Sequence, residues 1–193
     1  MGLVIAPEAF RDTPTLTGDR VRLEPLTPSV LEEYLQGLND PTLKRLTGTH
    51  ATFDRAGVAA WLGSRQAQHG RADWAIVLRA DGTFLGEAVL NHLDFANASA
   101  NYRIWLATHV CGRGYGTEAT QLVVAYALDT IGLHRLGLDV YDFNERARRV
   151  YAKCGFTVEG RRRGTLLWDG QWHDELVMSV LQGDPRPRTG GRG

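Results

Sequence analysis

The sequence predicts an α/β chain of the α+β kind, one mixed sheet of about seven strands flanked by about four helices. Three observations carry this. Short apolar–polar alternations of period two interleave with longer runs of helical period, in the order β-α-α-β-β-β-loop-α-β-α-β-β. Two Asp-Gly dipeptides, Asp81-Gly82 and Asp169-Gly170, each separate a pair of apolar runs, as tight hairpins require. A glycine-rich segment, Cys111-Gly-Arg-Gly-Tyr-Gly-Thr117, leads straight into an apolar-periodic run from Ala119 to Ile131.

Each element follows from local chemistry. Val21 and Leu23 alternate with Arg20, Arg22 and Glu24, which reads as a half-buried strand within 16–26. Pro28-Ser29 opens a helix carrying Leu31, Tyr34, Leu35 and Leu38, and Asn39-Asp40-Pro41 stops it. Asp54 caps a second helix over 55–68 that buries Val58, Trp61 and Leu62. Residues 74–79 and 84–90 form a hairpin around Asp81-Gly82, and 100–107 adds a fourth strand ending at the glycine loop. The helix after that loop ends at Gly132, and Leu136, Leu138 and Val140 alternate along a fifth strand. Asn144 caps a short helix ended by Gly155, and a last hairpin pairs 164–168 with 171–180. The expected organisation is a loose arm over 1–14, one domain over 15–182 and a disordered Gly/Pro/Arg-rich tail over 183–193.

Composition narrows the function classes. The 193 residues can bury ~70% of their unfolded surface, so the fold needs no staples. A formal net charge of zero gives no push towards nucleic acid or an anionic membrane. Two cysteines, Cys111 and Cys154, cannot form a disulfide framework, so a cytoplasmic setting is expected. No apolar run approaches the roughly 20 residues of a membrane span. The six histidines have no metal-ligand spacing with one another or with the cysteines, and no metal is expected.

The glycine loop is where chemistry is expected. Glycine takes positive φ without penalty and lets a ligand approach main-chain N–H groups, while a helix start adds unpaired donors and a positive dipole end. The loop has no lysine for a G-x-x-x-x-G-K-[ST] phosphate loop. Thr117 stands where the dinucleotide pattern G-x-G-x-x-G needs its third glycine. An anion cradle for another phosphate remains, beside the alternative that the glycines serve strand–helix geometry alone.

The order of elements and four sequence pieces resemble the GCN5-related N-acetyltransferase (GNAT) superfamily, in its RimJ/RimL-like ribosomal-protein branch. The pieces are Trp105-Leu-Ala107, Arg113-Gly-Tyr-Gly-Thr-Glu-Ala119, Asn144-Glu-Arg-Ala147 with Tyr151-Ala-Lys-Cys-Gly-Phe156, and Trp168-Asp-Gly-Gln-Trp-His-Asp174. The resemblance implies the GNAT fold, with a mostly antiparallel sheet, and acetyl-CoA as cosubstrate with an amine as acceptor. Acetyl-CoA would lie on Cys111, Gly112, Arg113, Gly114, Tyr115, Gly116 and Thr117, where the main-chain N–H groups of 113–117 take the pyrophosphate. Leu106 and Ala107 would offer backbone groups freed by splaying of the fourth strand from the fifth. Tyr151 would protonate the departing thiolate. Asn144, seven residues earlier on the same helix face, would cap the helix and touch the pantetheine arm.

The base that deprotonates the acceptor is not given by the resemblance. The branch often carries Glu on the fourth strand where this chain has Asn101, and Arg103 stands where a small residue is common. Glu87 and His92 are the candidates, with Asp94 beside them and a water chain as the alternative. Cys111 flanks the loop, where a helix start could depress its pKa, and Arg161-Arg-Arg163 reads as a solvated strand entrance. The implied acceptor is a protein N-terminus. A small amine such as an aminoglycoside or polyamine, or a non-catalytic acyl-CoA-binding module, is the alternative. The edge of the last hairpin offers a homodimer surface.

Overall fold

A computed structural model describes residue 5 and residues 12–187. Its elements are β1 (Leu16–Thr17), β2 (Val21–Pro25), α1 (Leu31–Asn39), α2 (Pro41–Thr47), α3 (Arg55–Gly63), β3 (Ala72–Leu78), β4 (Phe84–Asp94), β5 (Ser99–Leu106), α4 (Tyr115–Ala125), β6 (Arg135–Tyr141), α5 (Glu145–Lys153), β7 (Thr157–Trp168) and β8 (Gln171–Leu181). The eight strands form one sheet in the order β1-β2-β3-β4-β5-β6-β8-β7, and every pair is antiparallel except β5–β6. The fold class is the expected one. The extra strand arises because the first predicted strand breaks at a turn closed by Gly18 N–H on Val21 O, 2.9 Å.

The extra helix corrects a misreading of Asn39-Asp40-Pro41. Proline cannot continue α1, but at the first position of a new helix it loses nothing, since that N–H has no partner anyway. Asp40 caps α2 by accepting the Leu43 N–H at 2.7 Å, so the stop is also a start. Both Asp-Gly turns form as expected: Asp169 and Gly170 have φ of 48° and 76°, the two positive values a two-residue hairpin favours. Residues 79–83 make the longer loop, with Asp81 accepting from the Thr83 N–H and hydroxyl.

Strand alternation sorts the apolar side chains onto two faces, each covered by helices. On one face Trp74, Ile76, Leu90, Tyr102, Leu136 and Leu138 pack with Ala119, Val123 and Leu128 of α4 and its π-helical extension over 126–130, and with Tyr151 of α5. On the other face Ala75, Val77, Phe84 and Trp105 pack with Tyr34, Leu43, Val58 and Leu62 from α1, α2 and α3. Glycine is required at position 37, because a Cβ there would lie 2.5 Å from the Trp105 ring. That close approach seats α1 on the sheet.

The chain ends are tied more firmly than expected. Ile5 is buried in the main core, and Pro14 O accepts the Trp74 indole N–H at 2.7 Å, so these two described residues of the predicted arm pack on the domain. Arg186 reaches the Gln182 carbonyl and pairs with Asp129, which holds part of the tail over 183–187 against the domain. The rest of both segments, residues 1–4, 6–11 and 188–193, lies outside the described residues.

Candidate active site

The glycine loop delivers an open helix start. Gly114 is the N-cap of α4, with φ 85° and ψ −4°, and no side chain caps the helix. That left-handed geometry suits glycine and turns the first-turn N–H groups outward together. Glu118, in that first turn, complements the positive dipole end and holds the loop to the sheet. Its carboxylate accepts the Arg20 N–H at 2.7 Å, the Val21 N–H at 3.2 Å and the Arg20 Nε at 3.0 Å. The same guanidinium donates to Arg113 O at 2.9 Å and lies 5.3 Å from the Tyr115 ring centroid. Arg20 therefore braces the loop from behind while the Arg113 side chain stays exposed. Nothing in the sequence pointed to Arg20, which lies 93 residues from Arg113.

The splay of the sheet is where it was expected. β5 pairs with β6 only from Ser99–Arg135 to Asn101–Gly137, although β5 continues to Leu106 and β6 to Tyr141. One detail needs correction. The Ala107 N–H is not freed by this splay, because it donates to Leu85 O at 2.8 Å, across β4. N–H direction alternates along a strand, so the donors turned into the gap are those of Leu106 and Ile104.

Beyond the gap, α5 presents the predicted pair. Asn144 caps the helix by accepting the Ala147 N–H at 3.2 Å. Tyr151 is buried against Tyr102 and Phe156, with ring centroids 6.5 and 5.9 Å away. Its hydroxyl has no hydrogen-bond partner among the described residues and is not sealed from solvent, so it faces the groove. Burial pushes the phenol pKa well above its ordinary value, which keeps the proton on oxygen. The neighbouring phenol, Tyr102, is instead occupied by Thr120 at 3.1 Å.

The cysteines take structural places. Burial pushes the Cys111 thiol pKa up, against the lowering expected beside a helix start, with Arg146 opposing only in part. Its Sγ lies 3.5 Å from Ala107 O. Cys154 is buried, its thiol pushed up to about 12 by desolvation, and Sγ lies 3.6 Å from Thr117 O.

On the opposite face of β4 and β5, Glu87 is 3% exposed. One carboxylate oxygen accepts the Tyr34 hydroxyl at 2.9 Å and the other accepts the Trp105 indole N–H at 2.9 Å. Burial raises its pKa above the ordinary carboxylate range and Asp73 adds to this, while Arg103 and the two donors pull it back. His92 has φ 50° at the irregularity between Asn91 and Asp94, is exposed, and borders none of the cavities described below. Asp94 turns away to cap Asn97. Asn101 donates to Asn91 Oδ1 at 3.2 Å.

These pieces enclose one groove of about 530 Å³. Its walls include Cys111, Gly112, Gly114, Tyr115, Gly116 and Thr117 at the loop, Leu106 at the splay, Asn144 and Tyr151 on α5, and Leu43, Thr47 and Arg103 at the far end. A smaller cavity of about 70 Å³, bordered by Tyr34, Trp61, Arg71 and Glu87, shares Leu43, Thr47, Arg103 and Trp105 with it. Ala107 borders neither; it lines a separate hollow between α1 and the β3–β4 loop. The groove therefore joins an anion-ready helix start, inward-turned strand donors, a protonated phenol and, through the side cavity, a buried carboxylate.

The acetyltransferase (GNAT) domain family matches residues 20–157. YdaF of Bacillus subtilis, a provisional ribosomal N-acetyltransferase, is 32% identical over 102 residues, covering 53% of this chain and 56% of its own length. Spermidine N(1)-acetyltransferase of Escherichia coli is 28% identical over 114 residues, covering 59% of this chain and 61% of its own length. These alignments span little more than half of either relative. The structure of spermidine N-acetyltransferase from Vibrio cholerae in complex with CoA and spermine shares the fold, with a TM-score of 0.78, 18% identity, and coverage of 84% of this chain and 95% of that one. With the family matching most of its length, and with the splayed sheet and open helix start in place, this chain belongs to the acetyltransferase (GNAT) domain family.

Proposed function

We propose that the chain is an acetyl-CoA-dependent N-acetyltransferase that moves the acetyl group directly to a primary amine, both substrates being bound together. The single observation that carries this reading is the continuous groove from the uncapped start of α4 to the Tyr151 hydroxyl. The first-turn N–H groups of α4, with the Arg113 guanidinium free to join them, suit a pyrophosphate. Acetyl-CoA supplies an activated acyl group on a thiol leaving group. The Leu106 N–H, or that of Ile104, polarises the acyl carbonyl, a kind of contact worth roughly 3 kcal/mol in hydrolases. As the amine nitrogen bonds to the carbonyl carbon and the carbon–sulfur bond breaks, Tyr151 gives its phenolic proton to sulfur. Glu87, reached through the side cavity and water, takes the proton the amine loses. His92 lies off the groove and is left without a part.

The acceptor in this reading is a protein N-terminus, presenting one amine. The relatives' names divide between ribosomal proteins and spermidine, so the choice rests on the groove. Its two carboxylates at the far end, Asp139 and Glu175, both pair with Arg162 at 3.1 Å, which leaves no free acidic row for a polyamine. The test is CoA thiol release with acetyl-CoA and a panel of N-terminal peptides, spermidine and an aminoglycoside. Release that depends on a peptide supports the reading; release only with spermidine or the aminoglycoside replaces the acceptor. Binding of acetyl-CoA without release for any amine favours the binding-module alternative.

A further inference from the structure

The far end of the groove holds a cation with no hydrogen-bonded partner among the described residues. Arg103 stands in mid-strand on β5, opposite Val89 of β4, and is exposed. It makes no hydrogen bond or ion pair among the described residues, while the arginine in the lining of the side cavity and the acidic groups of the groove are paired. Arg71 is held by Asp73, and Arg162 by Asp139 and Glu175. Because β6 stops pairing at Gly137, no strand covers the β6 side of Arg103, and the residue borders both the groove and the side cavity.

The register gives this cation a partner of opposite sign. Glu87 faces Trp105 and Val89 faces Arg103, so Glu87 and Arg103 are diagonal neighbours on one face of the sheet. Such neighbours are roughly 7 Å apart at the backbone. No direct ion pair joins them. The acceptor end thus presents a buried carboxylate and an open guanidinium side by side, the mirror of a molecule bearing an amine and a carboxylate a few bonds apart.

We propose that Arg103 selects an acceptor whose primary amine carries a carboxylate within a few bonds, and that it disfavours polyamines. The proposal rests on the acetyl-transfer reading above. The carboxylate can come from an acidic first residue of a polypeptide or from a free acidic amino acid. In both cases Arg103 forms a charge-assisted and, where the carboxylate lies flat to it, bidentate contact. A polycation would instead place its second amine beside an unpaired guanidinium.

The experiment uses the full chain with wild-type Arg103, Arg103→Ala, Arg103→Lys and Arg103→Glu, each checked for unchanged thermal unfolding. Thiol release is measured with short peptide amides beginning in Glu, Ala or Lys, with free glutamate, and with spermidine. Wild type is expected to favour the Glu peptide or glutamate by at least about tenfold in kcat/KM, the low end for a charge-assisted hydrogen bond. Arg103→Ala should erase the preference chiefly through KM, Arg103→Lys should restore part of it, and Arg103→Glu should turn it towards the Lys peptide and spermidine. Whether the peptide or glutamate is preferred identifies the source of the carboxylate. A wild-type preference for spermidine, or an equal loss on all acceptors in Arg103→Ala, overturns the proposal. If no amine supports release, the acetyl-transfer reading fails separately. Calorimetric titration of glutamate and of the Glu peptide in the presence of CoA then decides the matter, binding lost in Arg103→Ala upholding the contact and binding unchanged or absent in wild type refuting it.

Discussion

The donor end and the acceptor end of the groove are built from different materials. In the proposed reading the functional groups at the donor end are backbone: first-turn N–H groups of α4 after Gly114, and strand donors turned into the gap at Leu106 and Ile104. At the acceptor end of that reading they are side chains gathered from α1, α2, α3, β4, β5 and the segment before β3, among them Tyr34, Thr47, Trp61, Arg71, Glu87, Arg103 and Trp105. A backbone site tolerates many side chains provided its conformation holds. A side-chain site changes with every substitution. That division allows one donor to be kept within a family while the acceptor varies, as the names of the ribosomal-protein and spermidine acetyltransferase relatives illustrate.

The division can be broken most severely at Gly114. Gly114→Val puts a branched side chain at φ 85° and a Cβ 2.9 Å from the Arg20 guanidinium, disturbing both the cradle and its brace. Acetyl-CoA binding by calorimetry is expected to weaken more than about 100-fold, the loss of two charge-assisted contacts. An unchanged affinity would place the phosphates elsewhere. Glu87→Gln tests the opposite end. Turnover should fall by about 10² to 10⁴, the usual worth of a proton-transfer group, while acetyl-CoA still binds. The pH profile carries the sign: the carboxylate must be ionised to accept a proton, so the wild-type rate climbs with pH through the raised Glu87 pKa, above the ordinary 4.5. Glu87→Gln should lose that limb, and a variant that kept it would move the base to another group. Asn144→Ala is the mildest. It removes the α5 cap and should cost about 1 kcal/mol of stability in chemical denaturation. A much larger loss of acetyl-CoA affinity than of stability would give Asn144 the pantetheine contact as well.

The same division explains what could be read from the sequence. The donor loop is local: three alternate glycines and a helix start lie within seven residues, so an open backbone could be read from a short window, whereas Asn144 and Tyr151 were singled out by the family resemblance, their spacing only setting both on one helix face. Hairpins around Asp81-Gly82 and Asp169-Gly170 are likewise local. Asp40-Pro41 misled because the residues that end one helix are the ones that begin the next. The Ala107 N–H could not be seen to be paired, because the direction of an amide along β5 depends on register with β4, which local sequence does not contain. His92 looked well placed from its neighbours until the irregularity beyond Asn91 left it outside the groove. The Arg20–Glu118 brace and the Glu87–Tyr34–Trp105 cluster join positions 18 to 98 residues apart and leave no trace in any short window.

The claim on which the two ends converge is that Tyr151 supplies the proton to the departing sulfur. The direct test is steady-state thiol release by Tyr151→Phe, with acetyl-CoA binding measured on the same sample. The phenyl ring and its packing against Tyr102 and Phe156 remain, and only the groove-facing hydroxyl is lost. The expected result is kcat lowered by about 10² to 10⁴ with acetyl-CoA affinity barely moved. Full turnover in Tyr151→Phe on an acceptor that wild type acetylates would contradict the account.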